Sequence, residues 1–193
     1  MRHGRTAWNR EGRFQGHAEV PLDATGLAQA AALAEHLRGE RFDVVASSDL
    51  GRARATAEAI VAGRPGPSLE TDPRWRELDF GAWEGRTAAE VGEQSFGTPP
   101  GGESFADLCA RVEAALAGLR ARLPAGGTVL VATHAGPLHA LLHTVFGREA
   151  AETLGVRFGH GTLTRIILDD GPPRLLELNV APAAREGVEQ PGR

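Results

Sequence analysis

The chain has 193 residues, of which 41% are apolar and 24% charged, values that indicate one globular domain with a sizeable core and exclude an intrinsically disordered chain. The net charge of −4 is too small to favour a nucleic acid or an anionic membrane as a partner. The single cysteine excludes an internal disulfide framework, and the chain has neither a transmembrane-length apolar run nor a signal peptide, so we expect a cytoplasmic protein.

The amino-terminal segment is rich in arginine. Residues 1–13 contain four arginines and one glutamate, and no lysine occurs anywhere in the chain. Every permanent cation of a side chain is therefore a planar guanidinium, whose geometry suits paired hydrogen bonds with a carboxylate or a phosphate.

Helical and strand patterns alternate from residue 24 onwards. Apolar side chains at helical spacing predict a helix over residues 24–38, and Gly39 ends it. The β-branched run 42–48 predicts a buried strand, and residues 51–63 predict the helix that follows it. The first of these helices is expected to pack on the core through Leu27, Ala30, Ala34 and Leu37.

The second half of the chain repeats the alternation. The spacing predicts a long helix over 104–123, a buried strand over 128–134 and a helix over 136–147. Two further strands, 163–168 and 174–179, are joined by DDGPP and predict a hairpin near one edge of the sheet.

This alternation predicts an α/β protein, a three-layer α/β/α sandwich with a mostly parallel central sheet. We expect a single domain over residues 1–180. Residues 64–103, with seven glycines and five prolines, interrupt the alternation and are expected to form an excursion over the active face. Residues 181–193 are polar and rich in Pro, Gly and Glu, which is typical of a flexible tail.

Charged and imidazole side chains follow the predicted strands. Ligands of such sheets bind beyond the carboxyl ends of the strands, where His134 follows one strand and Arg52 another. Arg2 and His3 would join them if a strand preceded residue 2, and Glu77 can reach the same place from the excursion. The sequence therefore predicts a cluster of two imidazoles and two guanidiniums.

Six segments of the chain carry a resemblance to a known family. They occur in the order RHGRTAWN, FQGHAEVPLDATG, SSDLGRARATA, RELDFGAWEG, PPGGES and THAGPLHAL. In this order they resemble the motifs of the histidine phosphatase superfamily, which has the phosphoglycerate-mutase-like fold, and the resemblance spans most of the chain.

The resemblance implies a role for each matching residue. His3 matches the nucleophile that becomes phosphohistidine, and Glu77 matches the general acid. The groups that hold the phosphoryl oxygens are matched by Arg2, Arg52 and His134. Contacts to phosphate or substrate are implied for Asn9, Gln15, Gly16 and Ala135, the last standing where glycine is common in the family.

The function that the resemblance implies is hydrolysis of a small phosphomonoester without a metal or other cofactor. A phosphoglycerate mutase is the alternative within the family, although such mutases tend to be longer, with added segments that close over the site. A phosphate-binding or regulatory domain without activity is a second alternative, and a homodimer is left open.

The segment in front of the RHG motif departs from the family. Relatives place a strand of about six apolar residues there, whereas only Met1 precedes Arg2 in this chain. Buried amides left without partners cost about 1–3 kcal/mol each. We therefore expect either that the natural chain starts upstream of Met1 or that another segment fills this place in the sheet.

Two other features could carry chemistry. His139 and His143 stand four positions apart on a predicted helix, as metal ligands do, but Ala140 replaces the glutamate of the zincin motif, so no metal site is expected. Cys109 lies near the apolar face of its helix, and Ala115 stands where a cysteine phosphatase requires arginine. We expect Cys109 to pack in the core.

Overall fold

The central sheet consists of three parallel strands. The computed structural model describes residues 1–182, and its strands β1 (Val44–Ser47), β2 (Leu69–Thr71) and β3 (Val129–Ala132) lie in the order β2–β1–β3. Val45 pairs with Leu69 on one side and with Leu130 on the other. The predicted parallel sheet is confirmed, and all three strands end at the same edge.

Helices cover both faces of this sheet, which confirms the predicted sandwich. In chain order the helices are α1 (Ala7–Glu11), α2 (Ala24–His36), α3 (Gly51–Val61), α4 (Ala88–Val91), α5 (Phe105–Arg120), α6 (Ala135–Phe146) and α7 (Arg148–Leu154). Helices α2 and α3 pack on one face of the sheet, and α5 and α6 pack on the other.

Two apolar clusters hold the three layers together. Successive side chains of a strand point to opposite faces, so Val45 packs with Leu33 and Ile60 beneath α2 and α3, while Val44 packs with Leu108 on the other face. The predicted inner face of α2 is partly wrong. Leu27 is 58% exposed because the helix turns its glycine-containing side towards the RHG segment.

The RHG segment lies beside β3. Arg2 forms a parallel bridge with Thr133, and the His3 amide donates to the Thr133 carbonyl at 3.0 Å. On the opposite side the Arg2 amide donates to the Thr162 carbonyl at 3.0 Å. Residues 1–3 thus lie next to β3, and backbone hydrogen bonds on both sides fix the position of His3.

Gly4 fixes the RHG segment against α2. A Cβ atom at Gly4 would stand 2.8 Å from the carbonyl carbon of Gly26, so two glycine backbones meet there. The Gly4 amide donates to the Thr56 hydroxyl of α3 at 3.1 Å. The absence of a side chain at residue 4 therefore permits close packing of a helix on the motif.

The predicted hairpin is confirmed, and the excursion has more structure than expected. Strands β4 (Leu163–Ile167) and β5 (Arg174–Val180) pair antiparallel with an irregular register. Within residues 64–103, β2 joins the sheet, and α4 and three short 3₁₀ helices follow it, at Pro73–Trp75, Gly81–Trp83 and Gly92–Phe96. Part of the expected excursion therefore belongs to the sheet itself.

The predicted tail extends beyond the part of the chain that the structure describes, since residues 183–193 are outside it. Among residues 1–182, no helix combines the length and the apolar character that crossing a membrane requires.

Candidate active site

Three segments that end at one edge of the sheet bring the predicted residues together. His3 ends the bridged segment beside β3, His134 directly follows β3 and precedes α6, and Arg52 lies at the start of α3 after β1. All three side chains are buried. The ring centroids of His3 and His134 are 5.0 Å apart, with the rings arranged edge to face.

The tautomer of His3 follows from its one short contact. Nδ1 lies 2.6 Å from the Gly4 carbonyl oxygen, and a carbonyl only accepts, so the proton of the neutral ring is assigned to Nδ1. Burial, and then the charges of Arg52 and Arg2, hold the pKa of His3 well below its usual value. Nε2 therefore carries a lone pair at neutral pH and can act as a nucleophile.

His134 is neutral for the same reasons. Burial lowers its pKa well below the usual value, with further contributions from Arg52 and His3. Both of its ring nitrogens are inaccessible to solvent, and neither has a hydrogen-bond partner among the described residues. A buried polar group without a partner is costly, so this ring is suited to bind a group placed between it and His3.

Two guanidiniums complete the cluster and leave donors available. Arg52 donates to the carbonyls of Gly16 and Ala18 at 2.8 Å each, and Arg2 donates to the carbonyl of Phe158. The Nε atoms of both arginines are buried and have no partner within residues 1–182. Burial lowers the pKa of both groups, but an arginine stays protonated near neutral pH.

The hydrogen bond that holds Arg52 to the Gly16 carbonyl depends on glycine at position 16. Its φ of +51° lies in the left-handed region, and a Cβ atom would stand 2.8 Å from the Phe80 amide nitrogen. Its carbonyl oxygen is then free to receive the Arg52 guanidinium. Gly16 therefore lies beside the cluster through its contact with Arg52, and its contact with a substrate stays a prediction.

Glu77 reaches the cluster from the excursion. Its Oε1 accepts from the amides of Leu78 and Gly136 at 2.9 Å each. Its charge acts on both arginines, raising the pKa of Arg2 and of Arg52 against the effect of burial.

Arg111 anchors the loop that carries Glu77. Its guanidinium donates to the carbonyls of Arg74, Arg76 and Glu77 at 2.7–2.8 Å and forms an ion pair with Glu103 at 2.6 Å. The Thr133 hydroxyl adds a hydrogen bond to the same loop at the Trp75 carbonyl, 2.7 Å away. Arg111 was not among the predicted site residues. The only signal was an arginine next to the apolar face of α5.

The other predicted contact residues lie around this cluster. Thr6 is the N-cap of α1, and the Asn9 side chain accepts from the Thr6 amide at 3.1 Å in a capping box. The buried Gln15 lies 2.9 Å from the Thr6 hydroxyl. Ala135 begins α6 and borders the cleft described next. Contacts of these residues with a substrate stay predictions.

A cleft of about 570 Å³ opens beside Glu77. Its walls are mostly apolar and come from the excursion, α5, α6 and α7. Two lining histidines, His139 and His143, come from the HALLH segment, and Glu152 adds a carboxylate. No arginine is among the described residues that line it. The complete lining set is Glu77, Leu78, Phe80, Phe105, Leu108, Ala135, Gly136, His139, His143, Ala151, Glu152, Gly155 and Val156.

The remaining candidates for chemistry have ordinary environments. Within residues 1–182, no group of three or more His, Cys, Asp or Glu side chains is arranged to hold a metal ion. Cys109 packs against the apolar cluster beneath α5, and burial raises the pKa of its thiol, which makes it a poor nucleophile.

One further imidazole close to His3 was not predicted. The His160 ring centroid lies 5.9 Å from that of His3, and its Nε2 is buried without a partner among the described residues. The segment GHGTL at the start of β4 lies outside the six segments that resemble the family, and no local pattern in it indicates a site.

Comparisons with known proteins agree with this geometry. The family model of the histidine phosphatase superfamily (branch 1) matches residues 1–181. "Probable phosphoglycerate mutase GpmB" of Enterobacter sp. (strain 638) is 35% identical over 184 residues, which cover 89% of this chain and 85% of the relative. That of Klebsiella pneumoniae is 37% identical, with the same coverage of both chains.

Solved structures give the same result. The mycobacterial glucosyl-3-phosphoglycerate phosphatase, in a complex with VO3, superposes with a TM-score of 0.83 at 30% identity, covering 92% of this chain and 96% of its own. The α-ribazole phosphatase of Shigella flexneri gives a TM-score of 0.80 at 30% identity, covering 98% of both chains. The chain therefore belongs to the histidine phosphatase superfamily.

Proposed function

We propose that this protein hydrolyses small phosphomonoesters through a phosphohistidine at His3, without a metal ion. The observation that supports this most strongly is a neutral, buried imidazole surrounded by donors that have no partner among the described residues. Those donors belong to Arg2, Arg52 and His134. Guanidiniums aimed at the transferring group stabilise its charge, and removing one such donor typically costs about 100- to 1,000-fold in rate.

In the first step, His3 Nε2 attacks phosphorus and the bond to the ester oxygen breaks. The departing alkoxide takes the proton held by Glu77, so a free alcohol leaves. Arg2, Arg52 and His134 hold the phosphoryl oxygens during the transfer. The Gly4 carbonyl keeps the Nδ1 proton of His3 in place, which favours attack through Nε2.

In the second step, water attacks the phosphohistidine. Glu77, now a carboxylate, takes a proton from that water, the bond between phosphorus and Nε2 breaks, and inorganic phosphate forms. His3 and Glu77 return to their starting states. One carboxyl group thus serves both steps, which suits its position in the wall of the cleft.

The lining of the cleft supports hydrolysis over mutase activity. A phosphoglycerate mutase must hold a substrate that carries a carboxylate as well as a phosphate. The described walls of this cleft contain no arginine, and they contain Glu77 and Glu152. Carboxylates repel a second anion, so these walls favour a phosphomonoester with an uncharged, largely apolar alcohol part. The mutase names of the curated relatives keep phosphoglycerate mutase as the second candidate.

A substrate panel tests the proposal. Neutral aryl and alkyl phosphates are compared with 3-phosphoglycerate, with and without 2,3-bisphosphoglycerate, and both released phosphate and isomerised product are measured. We expect phosphate release from the neutral esters, also in excess EDTA. Formation of 2-phosphoglycerate faster than phosphate release would establish the mutase instead.

Covalent labelling distinguishes an enzyme from a binding domain. A ³²P-labelled substrate should transfer an acid-labile, base-stable label to the protein, and the His3→Ala variant should take up none. Binding of the substrate without label or phosphate release would support the non-catalytic alternative.

A further inference from the structure

His160 lies on the side of the RHG segment opposite to β3. The Gly161 amide donates to the His3 carbonyl at 3.0 Å, and the Arg2 amide donates to the carbonyl of Thr162. The segment that carries His3 therefore has His134 with its strand on one side and His160 with its neighbours on the other. The two imidazoles stand 5.0 and 5.9 Å from the His3 ring.

The environment of His160 resembles that of the phosphoryl-binding groups. Its Nε2 is inaccessible to solvent and without a partner in the described part of the chain, as is the Nε of Arg2. Burial, followed by the charges of Arg2 and Arg5, lowers the pKa of His160 to about 4, and Asp23 acts in the opposite direction. The ring is thus neutral near pH 7 and has one N–H to donate. The mechanism described above makes no use of it.

This inference rests on the proposed function. We propose that His160 is a further phosphoryl-binding residue, which donates from Nε2 to an oxygen of the bound phosphate ester. An oxygen placed at this side of His3 would give a partner both to His160 Nε2 and to Arg2 Nε. A neutral donor also adds a hydrogen bond without adding a third cation next to His3.

Orthovanadate, which adopts the geometry of the phosphoryl transition state, is the probe of this role. The His160→Ala variant should bind vanadate about 10- to 100-fold more weakly, the loss expected for one hydrogen bond to a charged group. The carboxamide nitrogen of His160→Gln can occupy the position of Nε2 and should restore most of the affinity. His36→Gln, which changes an exposed histidine of α2, is the matched control and should equal the wild type.

A purely structural role predicts a different pattern. His160→Ala would then lower the melting temperature and leave the vanadate affinity of the folded protein unchanged, and this result overturns the proposal. If His160→Ala does not fold, ¹⁵N-histidine spectra of the wild type decide. Saturating vanadate should shift the His160 Nε2 resonance, and an unchanged resonance also overturns the proposal.

The two proposals can fail separately. Wild-type protein that neither releases phosphate nor binds vanadate overturns both of them. Wild-type protein that does both, with His160→Ala equal to it in vanadate affinity and in KM, overturns only the role of His160.

Discussion

The neutrality of the buried histidines should appear as a loss of stability in mild acid. His3 and His134 both have a pKa held well below 6.5 by burial, so the folded state binds fewer protons than the unfolded state once the pH falls below that value. The contribution of the two neutral rings to the free energy of unfolding is therefore complete above pH 6.5 and is lost as the pH decreases. From pH 7.0 to 5.5 each such ring should cost about 1 kcal/mol, and the two together about 2 kcal/mol. His160, whose pKa burial lowers to about 4, adds a loss of the same sign.

Urea unfolding at the two pH values measures this effect. Burial lowers the pKa of the Met1 ammonium to about 5, which adds a loss of the same sign, so the test is the difference between variants. His134→Asn removes one titrating ring and should reduce the loss by about 1 kcal/mol. His36→Asn, at an exposed site, should not change it. An equal pH dependence of wild type and His134→Asn would refute the claim that His134 is neutral in the folded protein.

Three further predictions concern the active site. Glu77→Gln cannot supply a proton, so hydrolysis of alkyl phosphates should slow by about 10²- to 10⁴-fold. The leaving group of 4-nitrophenyl phosphate needs no proton, so the initial burst of 4-nitrophenol should be kept. An equal loss with both substrates would contradict the acid role of Glu77. Arg52→Lys keeps the charge but cannot hold two carbonyls and face the phosphate, so kcat/KM should fall about 100-fold or more, and a wild-type value would exclude Arg52 from the site. Gly16→Ala should lower the free energy of unfolding by about 1–3 kcal/mol, measured by thermal or urea unfolding. The reason is that φ of Gly16 is +51° and the Phe80 backbone leaves no room for a Cβ atom. An unchanged free energy of unfolding would disprove this strain.

The apolar cleft connects these predictions to substrate choice. Glu77 is one of its lining residues, so the proposed mechanism predicts that the alcohol receiving the proton of Glu77 lies in this cleft. His139 and His143 are polar groups in a mostly apolar lining that also contains the carboxylates of Glu77 and Glu152. They are the positions at which we expect the orientation of a neutral alcohol to be set.

Much of the architecture could be predicted because it depends on short-range patterns. The long helix α5 and the hairpin of β4 and β5 follow from apolar spacing and turn residues that lie next to each other in the chain. The motif residues Arg52 and His134 could be placed at one edge of a sheet because each follows a segment with strand character. No such segment precedes His3, which was expected there only on the condition that a strand preceded residue 2. Side-chain chemistry then indicated an anion-binding site.

Contacts between distant segments could not be read in the same way. The three residues of β2 are too short a run to predict a strand, and only pairing with β1 makes them one. Leu27 fits the helical spacing but stays exposed, because α2 packs on the RHG segment through Gly26.

By itself, then, the sequence determined the layer architecture and the chemical types at the site, since both follow from local spacing and from motifs in a set order. Only the tertiary structure decided which groups surround His3. It placed Arg111 behind the Glu77 loop and His160 beside the RHG segment, contacts made by residues far apart in the chain. No local pattern records such contacts, because they form only when segments distant in the sequence pack against each other.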